Sequence, residues 1–238
     1  MTLNIHEATL IKFPPRISLL DKGYIELQEY MGSDSSIVSA ARTSYLGESK
    51  GLDKDEKLLR YLLKHKHTTP FEMVKFRFRV KVPLFVARQW MRHRTGAFTE
   101  VSRRYTKNDI DFYFPDSWNT QAKNNKQCSG DKLDAIFSQE VSELFEKQVE
   151  LAYQTYLAML DKGVSREQAR LVLPQNMYTT FVWSVDAHNL MHFMKLRMDN
   201  HAQYETRVYA KAIYERYFKS ALPWTAQAFN DFVLTELD

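Results

Sequence analysis

Arg92-His93-Arg94 is followed, after a gap of seven residues, by Ser102 and Arg103-Arg104. Five cationic or potentially cationic side chains therefore fall within thirteen residues. The segment is not a loose basic tail. It follows Leu84, Phe85, Val86 and Ala87 and carries Trp90, Met91 and Phe98 inside it. Placing this much positive charge beside core-type residues costs desolvation free energy unless anions offset it. Glu100 offsets only part. The pattern points to an anionic ligand, such as a nucleotide phosphate or a pyrophosphate, which arginine binds through a planar fork.

Other residues invite chemistry less strongly. His188 and His192 are four apart on an expected helix, a spacing that suits metal ligands. Position 189 is Asn, however, so the H-E-x-x-H pattern is incomplete. His65 and His67 alternate, and a second cysteine is missing. We expect no metal, and a zinc hydrolase built on His188 and His192 ranks as a distant alternative. Arg197 and His201 flank Asp199 and would share a solvated helix face. Arg170 precedes Leu171-Val172-Leu173-Pro174, and a cation against an apolar run needs a partner. His67-Thr68-Thr69-Pro70-Phe71-Glu72 reads as a turn at a strand entrance, with Pro70 restricting the backbone. No nucleophile stands out: Ser102 lacks flanking glycines, and Cys128 has little besides Lys126 to lower its pKa. None of the seven glycines forms G-x-G-x-x-G or a Walker A loop. Any phosphate must therefore be held mostly by side chains.

The elements that must position these residues belong to a chain of 238 residues, sized for one domain over 1–238. Apolar content of 44% and aromatic content of 13% read as globular. The net charge of +4 is mild and interleaved with acids. A nucleic-acid-binding module using residues 92–104 is therefore a weaker alternative, and we expect no nucleic-acid partner. One cysteine cannot close an internal disulfide, so a reducing, cytoplasmic setting is expected. No apolar run approaches the ~20 residues that span a bilayer, and no membrane partner is expected.

Residues 53–66 carry Leu58, Leu59, Tyr61, Leu62 and Leu63 at helical spacing. Val74 to Val82 alternates apolar residues with Lys75, Arg77, Arg79 and Lys81, the pattern of a half-buried strand. Pro83 suits the first turn of a helix running to Arg92. Ile110–Phe114 predicts a second, shorter strand, and residues 115–131 a surface loop. Residues 133–162 predict a long helix whose apolar side runs from Ile136, Phe137, Val141, Leu144 and Phe145 to Val149, Ala152, Tyr156 and Leu160, ended by Gly163. Ser165 with Gln168 forms a capping box for a short helix reaching Arg170. Tyr178–Val185 favours a strand, and 187–197 and 201–219 predict helices. The class expected is α+β and helix-rich, a mixed sheet with flanking helices.

These residues resemble a family. Arg92-His93-Arg94, seven residues and Ser102 match the R-H-R-x7-S signature of flavin-dependent thymidylate synthases. His67 with Thr69-Pro70-Phe71-Glu72, Val86-Ala87-Arg88-Gln89-Trp90, Arg104-Tyr105, Ala169-Arg170 with Leu173-Pro174, and Leu196-Arg197 with His201-Ala202-Gln203 are similar in order and spacing. The resemblance extends from Ala40-Ala41-Arg42 to Pro223-Trp224.

The resemblance implies that dUMP is methylated to dTMP. Methylenetetrahydrofolate would give the carbon and leave as tetrahydrofolate, and FAD reduced by NADPH would carry the hydride. It also implies a homotetramer with active sites shared between subunits and no enzyme thiolate, consistent with the unpromising Cys128. By resemblance, the FAD-binding positions are His67, Thr69, Arg92, His93, Arg94 and Glu100, with Asp186 and His188 near the adenine end and His192 at a position that approaches FAD. The dUMP positions are Gln89, Arg92, Glu100, Ser102, Arg103, Arg104, Arg170 and Arg197. Arg197 would be catalytic, favouring the N3-ionised uracil. Met73, Thr99, Arg103 and the Asp186-Ala187-His188 triplet depart from the residues frequent in the family.

Overall fold

The computed structural model describes residues 14, 16–44, 46–107, 110–123 and 129–235. In chain order its elements are β1 (Ile17–Leu19), β2 (Gly23–Met31), α1 (Asp34–Thr43), α2 (Leu52–Lys64), β3 (Lys75–Pro83), α3 (Leu84–Trp90) and β4 (Ala97–Glu100). There follow β5 (Asn119–Gln121), β6 (Ser129–Lys132), α4 (Ala135–Asp161), α5 (Arg166–Ala169), β7 (Tyr178–Asp186), α6 (Ala187–Met198) and α7 (Tyr204–Ile213). The last helices are α8 (Lys219–Ala221) and α9 (Pro223–Phe229). Short 3-10 turns cover Thr69–Met73 and Arg170–Val172, and π-helical turns cover Tyr214–Phe218 and Asn230–Leu234.

The sheet is built on the expected alternation. Phe76, Phe78, Val80 and Val82 of β3 are buried, while Lys75, Arg77 and Arg79 face solvent. Its strand order is β1-β2-β3-β7-β4. All four pairings are antiparallel, so the α+β class holds but the sheet is not the mixed one expected. Strands β3 and β7 pair over their full length, from Lys75↔Asp186 to Pro83↔Tyr178. The helices cover one face. Trp183 meets Phe193 of α6 at a ring separation of 5.1 Å, and Phe78 meets Tyr217 at 5.8 Å. Trp90 at the end of α3 is fully buried against Phe181, Trp183, Phe193 and Tyr209. Burying such a side chain is worth roughly 1.5–3 kcal/mol, which fixes the exit of α3.

Several expectations need correction. Ile110–Phe114 is not a strand: it makes only an isolated bridge, Phe112↔Met177. The stretch read as loop contains the hairpin β5–β6, with register Asn119↔Lys132 and Gln121↔Ser129. Cys128 and its neighbours 124–127 lie outside the described residues. Pro83 closes β3 and caps α3 from just outside, with ψ 149°, rather than entering the first turn. The helix expected from His201 begins at Tyr204, because Asp199 and His201 form a turn instead. In α4, Val149, Ala152 and Tyr156 are buried, but Ile136, Phe137 and Leu144 are 70%, 59% and 68% exposed. Gly163 follows α4 at φ +83°, where only glycine is unstrained.

Asp34, the first residue of α1, joins α1 to α9. Its carboxylate accepts from the backbone N–H of Trp224 (2.8 Å) and of Thr225 (3.1 Å) and from the Thr225 hydroxyl (2.6 Å). This satisfies donors at the start of α9 that no helical carbonyl can reach. Burial holds the Asp34 carboxyl above its usual pKa, against the lowering effect of those bonds.

Candidate active site

The basic segment lies between α3 and the edge strand β4. The Met91 N–H bonds to the Ala87 carbonyl and closes α3, and the His93 N–H bonds to the Trp90 carbonyl at 3.0 Å. His93 is thereby turned inward, 9% exposed, while Arg92 and Arg94 point out. Neither Arg92 nor Arg94 has a hydrogen bond or ion pair among the described residues. Gly96 permits the turn into β4: a Cβ there would lie 2.4 Å from the Trp183 indole nitrogen.

Helix α6 supplies the opposing side chain. Asp186 caps it by accepting from the Asn189 N–H at 2.8 Å. At the other end, Arg197 donates from Nε to His93 Nε2 (3.1 Å) and from one Nη to the Gln89 carbonyl (3.1 Å). A guanidinium has five N–H donors. With two of them used, three remain for a ligand. Burial holds the Arg197 pKa below its ordinary value, though far from losing its charge. His93 is held down to about 4, first by burial, then by the positive charge of Arg197 and by His192. Its ring lies 5.6 Å from that of His192 and 5.0 Å from Phe193, both edge-on.

Gln89, His93 and Arg197 thus meet at one point. Sequence reasoning missed two residues that support them. Gln203 accepts from the Gln89 amide, and the fully buried Thr206 hydroxyl donates to Gln89 Oε1 at 3.3 Å. The available signal was Gln203 within the His201-Ala202-Gln203 stretch. His201 itself is exposed and bonded to Asp199 (2.9 Å).

A second group gathers around α5. Arg104 Nε lies 3.8 Å from Glu167 Oε1, and Arg170 donates to the Glu167 carbonyl at 3.3 Å. Arg166 ties the same corner by donating to the Tyr105 carbonyl at 3.0 Å. The Ser102 hydroxyl accepts from the Arg104 N–H at 3.3 Å, and Arg103 is buried at 8% exposure. Glu100 connects the two groups through β4; it accepts from the buried Thr179 hydroxyl at 2.6 Å. Glu167 was not foreseen, although a lone acid between Arg166 and Arg170 was visible.

The remaining candidates lie outside these two hydrogen-bonded groups. His67 is exposed and stacks on Tyr61 at 6.0 Å. Thr69 opens the 3-10 turn, which packs against α6. His188 and His192 lie on α6, half-buried and exposed respectively. Asp186 is 7% exposed and committed to the start of α6, with Lys75 3.5 Å away. Among the described residues, no three His, Cys, Asp or Glu side chains converge to hold a metal ion, and no helix is long and apolar enough to cross a membrane.

The site is therefore an inward-facing guanidinium fork beside outward-facing arginines, suited to anions and to charge developing on a ligand. The chain's wider similarities agree. A family model described as thymidylate synthase complementing protein matches residues 26–224. A flavin-dependent thymidylate synthase from Thermus thermophilus is 48% identical over 221 residues, 93% of this chain and 80% of that protein. Another, from Ehrlichia ruminantium, is 47% identical over 218 residues, 91% of this chain and 73% of that protein. Among solved structures, the UMP/dUMP methylase PolB from Streptomyces cacaoi, bound with 5-Br dUMP, aligns with a TM-score of 0.82. That alignment has 32% identity and covers 92% of this chain and 99% of that one.

Proposed function

The chain belongs to the flavin-dependent thymidylate synthases, methyltransferases that convert dUMP to dTMP with a flavin, and from that premise we propose the cofactor, co-substrates and residues that it uses. The flavin is FAD, reduced by NADPH. Methylenetetrahydrofolate supplies the carbon and leaves as tetrahydrofolate. When bound, reduced FAD supplies the hydride that completes the methyl group at C5 of the uracil.

The residues of this chain bind, orient and stabilise charge. Arg92 and Arg94, exposed and unpaired among the described residues, fit a pyrophosphate between them. His93, His67, Thr69, Glu100, His188 and His192 line the rest of the cofactor site. Asp186 contributes there by setting the start of α6. Ser102, Arg103, Arg104 and Arg170 take the dUMP phosphate end, with Gln89, Arg92 and Glu100 beside the nucleoside. Arg197 acts on the uracil: its fixed cation favours loss of the N3 proton, and it cannot donate its own.

One observation carries this reading: the Arg197 guanidinium is fixed at two atoms and keeps three N–H groups for a ligand. The exposed apolar side chains of α4, Ile136, Phe137, Leu144 and Leu151, support self-association. We place the protein in the cytoplasm as a homotetramer with shared sites. The test is incubation with FAD, desalting and a visible spectrum with and without dUMP, followed by assay with NADPH and methylenetetrahydrofolate. A retained flavin spectrum that shifts with dUMP, and dTMP formation, are expected. No dTMP under excess FAD would refute the reading.

A further inference from the structure

The Arg197–His93 bond constrains the chemistry of both partners. Arginine Nε can only donate, so His93 Nε2 must be the acceptor and carry no proton. The neutral ring then holds its proton on Nδ1. The second anchor, the Gln89 carbonyl, is one of the last carbonyls of α3, which lack a helical partner. Together the anchors occupy Nε and one Nη, along one edge of the planar guanidinium. The second Nη and the outer hydrogen of the first form the open fork.

We propose that His93 is a positioning residue: its unprotonated Nε2 fixes the plane of the Arg197 guanidinium, so that the open fork meets the uracil in one orientation. The proposal rests on the reading that Arg197 acts on dUMP. It assigns His93 a task distinct from contact with the flavin. A protonated His93 would present N–H to N–H and charge to charge, and Arg197 would swing free. The surroundings oppose that state. The ring is nearly closed to solvent, and the charges that act on it are Arg197 and His192, both from α6. Phe193, also from α6, is apolar. From α3, the Trp90 carbonyl takes the His93 backbone N–H, and the flanking Arg92 and Arg94 are exposed. No carboxylate is among the groups acting on the ring.

The test compares His93→Phe, which keeps a flat ring without an acceptor, with His93→Gln, whose Oε1 can accept from Arg197. At saturating FAD, His93→Phe is expected to lose about 100-fold in kcat with KM for dUMP within about threefold, the loss associated with one misplaced charge-stabilising donor. His93→Gln is expected to recover at least tenfold of that loss, and its kcat should lack the acid-side decline of the wild type between pH 6 and 4. Equal kcat in the Phe variant and the wild type would overturn the proposal, as would a Gln variant no better than Phe.

A readout independent of turnover separates this from the broader functional reading. In protein labelled with 15N-arginine, an Arg197 Nε–H resonance, assigned by its absence in Arg197→Lys, should be protected from exchange in wild type and His93→Gln and exchange-broadened in His93→Phe. If dTMP is not formed but this pattern appears, the functional reading fails and the positioning bond stands. If the resonance is unprotected in the wild type at pH 7, the positioning proposal itself fails.

Discussion

Arg197→Lys removes the fork while keeping the charge, so it separates geometry from electrostatics. Wild-type Arg197 bridges His93 Nε2 and the Gln89 carbonyl, both at 3.1 Å, and still faces the ligand. A lysine ammonium radiates three donors from a single nitrogen on a flexible stem and cannot span both anchors and a uracil. Two consequences follow. Folding loses two partly buried charged hydrogen bonds; after discounting for solvent screening, the cost is about 1–2 kcal/mol. For a chain of this size that is a fall in Tm of roughly 3–6 °C. Catalysis loses a fixed donor to the ionising ring, worth about 10²–10³ in kcat, with retained flavin binding because the outward Arg92 and Arg94 are untouched. The assay is steady-state dTMP formation at saturating FAD, alongside the flavin spectrum and a thermal melt. A Lys variant with kcat within threefold of wild type would remove Arg197 from the mechanism.

Asp34→Ala strands three donors at the start of α9 and should cost about 2–4 kcal/mol by urea denaturation. Asp34→Asn keeps one acceptor and should cost less. Because burial raises the Asp34 pKa, the folded state holds this proton more tightly than the unfolded state. Its contribution to stability is therefore lost as pH rises from 3.8 through the folded value. The Asn variant should lack that part of the slope, and an unchanged slope would refute the assignment. Gly96→Ala drives a Cβ to within 2.4 Å of Trp183 Nε1 and 3.0 Å of the Ser184 carbonyl, so the turn before β4 must shift. We expect a cost of about 1–3 kcal/mol and weaker flavin retention, read by melt and by spectrum after desalting. Phe137→Lys with Leu144→Lys, both on the exposed side of α4, should lower the mass measured by light scattering without unfolding the chain.

The legible parts of the fold were those where one face meets the chain's own core. In β3 the alternation of Phe76, Phe78, Val80 and Val82 with cations states both the strand and its buried face. In α4 the same kind of pattern shows an apolar side, but not what covers it, and Ile136 and Leu144 remain exposed. Strand β2 escaped notice because a register shift between Leu27 and Glu29 interrupts its period. Strand β4 escaped because it is four residues long and sits inside the basic cluster. In the site, residue types pointed to an anion and a fixed arginine, but pairings did not follow from spacing. His93 and Arg197 are separated by 104 positions, and Gln89 and Thr206 by 117. Only the sheet brings them together.

How the sheet does so can be worked from lengths. Because β3 and β7 are antiparallel, they end at opposite edges of their shared ladder: Pro83 leads into α3, and Asp186 leads into α6. Both helices fold back over the same core face, where Trp90 and Phe193 meet at 4.6 Å. Helix α3 has 7 residues and α6 has 12, about 10 and 18 Å at ~1.5 Å per residue. Strand β7 has 9 residues, about 30 Å at ~3.3 Å per residue. The two helices therefore span the strand between them and meet tail to tail. Their C-termini both carry partial negative charge, and a cation placed there stabilises both. Arg197, in the last turn of α6, fills that position by taking an orphan carbonyl of α3. The fork that faces the ligand is thus set by the closing distance of two helices. A one-residue deletion in the exposed face of α6 would turn Arg197 by about 100° and draw it back ~1.5 Å, which abolishes both anchors at once.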